Sequence, residues 1–164
     1  MDETFLLDGF QIFRNDGKSG HSSRSHHGIV IYLKHDLKVL LYNSFSSESV
    51  EFSVVSVQIS GSEVQCVVLY KKPSCTLQLF CDTVEENLLP LMNKNAKKII
   101  MGDFNLDVAN ESNGNFLKFM KEKFSCYQVL NKMTTKYETL VDLVFTDFSN
   151  AQTEVLEAYW SDHN

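Results

Sequence analysis

Residues 97–107 read KKIIMGDFNLD, an apolar run that ends on Asp103, Asn105 and Asp107. Side chains alternate along a strand, so all three would share one face if the strand ran on through 107. A row of oxygen donors suits a hard divalent cation or the handling of phosphate. Asp and Asn at a strand end also make ordinary turns. Two further runs finish in the same way: LVDLVFTD, residues 140–147, carries Asp142 and Asp147, and WSDH, residues 160–163, sets Asp162 beside His163. Any one of these aspartates alone reads as a cap or turn residue. Several such endings in a chain of 164 residues favour metal-assisted chemistry on a phosphoester. His163 is either surface decoration or a charged acid and donor whose tautomer a carboxylate fixes. Adjacent residues of a strand face opposite ways, which makes Asp142 a better orienting partner for it than Asp162.

Other polar clusters are less telling. His21, His26, His27 and His35 have no cysteine at ligand spacing, and the serines between them suggest a surface loop rather than a zinc site. Lys18 and Arg24 in that loop, and Lys71 and Lys72 after Tyr70, are either phosphate contacts or solvated loop charges. The formal net charge of -6 and pI near 5.3 have the wrong sign for holding nucleic acid by bulk attraction, so a metal ion or a local basic patch must compensate. Cys66, Cys75, Cys81 and Cys126 form no close CxxC pair and read as free thiols of a reducing compartment. Neither a signal peptide nor a membrane-length apolar run is visible, so a soluble intracellular protein without membrane contact is expected. A nuclear site would follow if genomic DNA is the substrate.

The elements that must position these residues are legible from periodicity. GIVIYL (28–33) and KVLLYN (38–43) read as neighbouring strands across a KHD turn. In 50–59 the apolar positions shift from 50, 52 and 54 to 55, 57 and 59, which predicts a β-bulge. VQCVVLY (64–70) is apolar on both faces, as a central covered strand would be. Leu77, Phe80, Val84, Leu88 and Leu91 predict a helix over 76–92, and Phe116, Phe119, Met120 and Phe124 predict a second. With 43% hydrophobic residues, the chain reads as one compact domain over 1–164 with mixed or antiparallel sheets.

Together IMGDFNLD, LVDLVFTD and WSDH, with DETFLLDGFQIFRND at the start, resemble the endonuclease/exonuclease/phosphatase superfamily, and within it the endonuclease domains of LINE-type retrotransposons. The resemblance implies an α/β four-layered sandwich, two mixed β-sheets flanked by helices, lacking a strand at each end. It implies Mg²⁺, with Mn²⁺ as the alternative, held by Glu3 and Asp162. Tyr70 would steady the phosphate, Asp103 would orient or deprotonate the attacking water, and Asn105 would donate to the phosphate or hold that water. Asp142 would support His163, Asp162 would assist metal or water, and Thr135, Lys71 and Lys72 would lie near the substrate. DNA nicking in a mobile-element context is the implied activity. The alternatives are a phosphatase of the same fold, or a truncated and inactive remnant that serves as a binding or structural module.

Overall fold

The computed structural model of the chain describes residues 6–16, 28–110, 113–158 and 160–163. Glu3, Lys18, His21, Arg24, His26 and His27 lie outside them. Among the described residues two sheets and two α-helices form three layers of the expected four: helices are described on the large sheet only, and the small sheet is antiparallel rather than mixed. β1 (Phe10–Asn15) and β2 (Ile29–Lys34) make a two-stranded antiparallel sheet. The larger sheet is mixed, in the order β3-β4-β5-β6-β8-β7. Its strands are β3 (Lys38–Ser46), β4 (Val50–Ile59), β5 (Ser62–Lys71), β6 (Lys97–Asp103), β7 (Tyr127–Gln128) and β8 (Asp142–Thr146). Helices α1 (Leu77–Asn87) and α2 (Gly114–Phe124) cover one face of this sheet, and the two-stranded sheet packs on the other.

The burial pattern explains the phase shift in 50–59 without a bulge in that strand. Val50, Phe52 and Val54 feed the core under the helices, while Val55 and Val57 feed the core between the sheets. β4 is thus buried on both faces, and its pairing with β5 runs unbroken from Val50↔Lys71 to Ile59↔Ser62. The irregularity belongs to its other neighbour, where the β3 register slips between Val39 and Leu41. A second expectation is corrected as well. GIVIYL and KVLLYN do not pair: β2 joins β1, and β3 joins β4 in the other sheet. The KHD segment is a crossing between sheets, tied down by the His35 N–H to the Gly9 carbonyl and by the Gln11 amide to the Leu37 carbonyl.

α1 starts where the Thr76 hydroxyl accepts the Leu79 N–H, and it is shorter than its apolar stripe suggests. Pro90 has no N–H to continue the helical ladder, so the chain passes into a 3₁₀ turn at Leu89–Leu91. α1 and α2 seat Phe80 and Phe116 against Phe104 and Phe145 from the sheet, all four fully buried with ring centroids 5.4–5.9 Å apart. Phe104 lies between Asp103 and Asn105. This cluster anchors the end of β6 from below and leaves its polar neighbours free to face the other way.

β5 and β6 are parallel and unusually close at Gly102, whose φ is +147°. A Cβ there would sit 1.8 Å from the Leu69 carbonyl oxygen, a backbone atom that cannot step aside. Only glycine fits this step of the strand. Gly102→Ala is expected to lower unfolding free energy by about 3 kcal/mol or more in urea titration. A loss below about 1 kcal/mol would show that the two strands can part at no great cost.

Candidate active site

The polar residues of interest meet at one end of the large sheet because its strands finish in step. Tyr70 pairs with Asp103 in the β5–β6 register, and Asp103 pairs with Asp142 in the β6–β8 register. Directly opposed residues share a face, here the face turned away from the helices. On β4 the residue opposite Tyr70 is Glu51, fully buried. The row therefore reads Glu51, Tyr70, Asp103, Asp142 across four strands. Glu51 escapes a reading of motifs because it is one of several polar residues in β4, with Ser53, Ser56 and Gln58, and carries no distinctive spacing. The only hint is a carboxylate where a buried position is due.

His163 completes the row from the far end of the chain. Its Nδ1 lies 2.7 Å from Asp142 Oδ2, and its backbone forms an antiparallel bridge with Thr135. One ligand atom from each of Asp103, Asp142 and His163 falls within 4.8 Å of the others. β6 ends at Asp103, so the condition for Asp103, Asn105 and Asp107 to share one face is not met. Asn105 turns into the left-handed region at φ 43°, and its N–H and side-chain amide both donate to the Asp103 carboxylate, at 2.9 and 3.1 Å. The same amide nitrogen donates to the Lys71 carbonyl at 2.9 Å, which engages both its hydrogens within the protein.

The remaining predicted residues are placed differently. The Lys71 side chain is turned to the helix-side face, its residue only 3% exposed, and its ammonium donates to the Lys72 carbonyl. What Lys71 gives this site is its backbone oxygen. Lys72 is half-buried beside it. Asp162 is exposed, and its carbonyl accepts the Lys136 N–H. Thr135 is buried, with its hydroxyl 2.7 Å from that of Thr139 and accepting two backbone N–H groups of its own turn. Two of the strand-end aspartates are structural. Asp107 accepts the N–H groups of Ala109 and Leu140, and Asp147 binds the N–H and ammonium of Lys98.

Thr134 is a positioning residue that the motifs do not reveal. It is buried, and its hydroxyl oxygen accepts the N–H groups of Val141 at 3.2 Å and Asp142 at 3.1 Å. Neighbouring threonines thus divide the work: Thr134 holds the backbone under Asp142, and Thr135 holds that of His163. A cavity of about 410 Å³ opens beside the row, lined by Tyr70, Gly102 and Asp103 from the large sheet and by Gly28, Ile29 and Val30 from the small one.

The environment sets the protonation of each group. Burial raises the Asp103 pKa, the Asn105 N–H pulls it back, and the Asp142 charge adds to the rise. Burial, then the Asp103 and Glu51 charges, raise that of Tyr70, so the phenol stays a donor. The hydrogen bond to Asp142 raises His163 above the usual imidazole value, against a smaller opposing effect of burial. This is an arrangement in which a carboxylate can take a proton while an imidazolium Nε2–H faces an anion.

No protein-family model and no curated protein matches the sequence. Solved structures match it in shape. The endonuclease domain of TRAS1, a telomere-specific non-LTR retrotransposon, has a TM-score of 0.61 at 14% identity over 85% of this chain and 68% of that one. An endonuclease/exonuclease/phosphatase family protein from Leptotrichia buccalis gives 0.64 at 15% identity, over 87% and 61%. The human Nocturnin catalytic domain, solved with bound sulfate, gives 0.67 at 14% identity, over 94% and 69%. The chain has the α/β fold of the endonuclease/exonuclease/phosphatase proteins and spans about two thirds of the length of these structures.

Two outcomes follow from the site's geometry. Thr134→Val keeps the shape but strands two N–H groups, and should cost about 2 kcal/mol in denaturant unfolding, whereas Thr134→Ser should cost well under half of that. For the pair, NMR titration of the His163 ring should show a pKa that falls in Asp142→Asn. The folded state holds the imidazole proton more tightly than the unfolded chain. The pair's contribution to stability is therefore complete below the ordinary value of 6.5 and disappears as pH rises through the higher folded value. A His163 titration identical in the two proteins would contradict the pairing.

Proposed function

We propose that this chain is a divalent-metal-dependent phosphodiesterase that nicks DNA, of the kind found in mobile elements. The observation that carries this reading is the convergence of Asp103, Asn105, Asp142 and His163 on one face at the end of the sheet, next to Tyr70. Their carboxylate oxygens are the donors a hard cation prefers, and the ligand atoms of Asp103, Asp142 and His163 already lie at coordinating range. Glu3 and Asp162 are the ligands proposed from the sequence, which leaves Asp103 to act on the attacking water. Bound there, Mg²⁺ or Mn²⁺ would supply the positive charge that an acidic chain lacks and offset charge developing on the phosphoryl oxygens.

The protein's own groups divide the remaining chemistry. Asp103, its pKa raised by burial and its orientation fixed by Asn105, accepts a proton from the attacking water. Asp142 holds the proton on His163 Nδ1, which leaves Nε2 to donate to an equatorial phosphate oxygen as negative charge grows there. Tyr70 donates its phenol hydrogen to the same phosphate. Lys72 and Thr135 are proposed to line the approach. The attack displaces the leaving oxygen in line.

The test is conversion of supercoiled plasmid to nicked circles by the 164-residue chain in Mg²⁺. Asp103→Ala and His163→Ala should each reduce nicking by about a hundredfold or more, and chelation should abolish it. Turnover confined to small phosphomonoesters would replace the nuclease reading with a phosphatase of the same fold. An inert but folded protein would leave a binding module.

A further inference from the structure

Beside this centre the chain presents two aromatic side chains to solvent. Tyr137 is 76% exposed and Trp160 is 88% exposed, the highest values among the large apolar side chains described. Both flank the Thr135↔His163 bridge. That bridge is antiparallel, so residue 137 on one segment and residue 160 on the other run outward in the same direction. The Lys136 N–H, bonded to the Asp162 carbonyl at 3.0 Å, holds the two segments together one step further out. Each aromatic is two or three residues from the bridge, within about 10 Å of backbone.

The turn that carries Tyr137 is firmly built. The Glu138 N–H donates to the Thr135 carbonyl, Thr139 caps the turn through its hydroxyl contact with Thr135, and Glu138 takes a φ of 58°. Such a turn holds Tyr137 at its tip. Lys132 and Lys136 are exposed on the same stretch, with the carboxylates of Glu138 and Asp162 exposed beside them. Flat rings beside exposed ammonium groups, next to a centre that handles a phosphodiester, match the two parts of a nucleotide: base and backbone.

We propose that Tyr137 and Trp160 form a stacking platform for unpaired nucleobases next to the scissile phosphate, with Lys136 on a neighbouring backbone phosphate. The inference rests on the phosphodiesterase reading and refines it. The substrate is a strand whose bases are unpaired or readily unstacked around the cut, because a base inside a duplex shows only its edge.

Trp160 is the single tryptophan, so its fluorescence reports on the platform directly. The chain is titrated with a metal-free thymidine oligonucleotide of roughly ten residues, a length within the usual span of single-strand sites. Binding is followed in parallel by anisotropy of a labelled copy. Saturable quenching of Trp160 is expected, with weaker binding of a duplex of the same length. Tyr137→Ala and Trp160→Ala should each weaken single-strand binding about tenfold, and Trp160→Phe should restore most of it. Binding without quenching, equal affinity for duplex, unchanged affinity in Trp160→Ala, no binding at all, or a free protein whose emission is that of a buried indole would each overturn the proposal. Plasmid nicking without Trp160 quenching would sink the platform and leave the phosphodiesterase standing. Quenching without nicking would do the reverse.

Discussion

Tyr70, Asp103 and Asp142 stand side by side only because β5, β6 and β8 are locked in one register, and the lock is steric. At Gly102 the β6 backbone lies against the Leu69 carbonyl, in a space that no side chain can enter. One residue later the sheet presents Asp103. A slip of one position would send Asp103 and its neighbours to the helix-side face and bring buried apolar residues up in their place. The buried rings of Phe104 and Phe145 oppose such a slip from the other face. The polar row on one side and the aromatic cluster on the other are thus two consequences of the same alignment.

The loop from 133 to 139 converts that alignment into a working geometry. It is short, yet Thr134 and Thr135 reach both halves of the Asp142–His163 pair through backbone hydrogen bonds and a bridge. Because the contacts are to the main chain, they fix where each side chain originates without occupying its functional atoms. Asn105 works differently on Asp103, donating its N–H and side-chain amide to the carboxylate itself, with the Lys71 carbonyl as the anchor of that amide. The acidic centre is therefore held by neutral groups, which add no charge to compete with a cation or an anionic substrate.

Much of this was legible in the sequence where local chemistry and periodicity agreed. The two helices followed from apolar stripes, and the fold followed from the family resemblance that GDFN, VDLVF and SDH carry. The choice of Asp142 over Asp162 as the partner of His163 needed only strand alternation, and the 2.7 Å contact bears it out. Long-range facts were not legible. Nothing in KHD shows that it crosses between sheets, since a polar turn of that length serves a hairpin as well. Glu51 is invisible without the β4–β5 register. The phase shift in β4 was visible, but a strand buried on both faces gives the same pattern as a bulge, and only the two separate cores distinguish them.

The pairing of His163 with Asp142 also carries a consequence for biosynthesis. The partners are 21 residues apart in sequence, with Asp142 already seated in the sheet beside β6. A ribosome adding about 5–20 residues per second takes roughly one to four seconds to travel that distance. The same delay separates their emergence from the ribosome, so for that time the exposed part of the chain carries the buried residues of both cores but not the imidazole that pairs with Asp142. The order of residues along the chain thus makes the Asp142–His163 contact one of the last that can form.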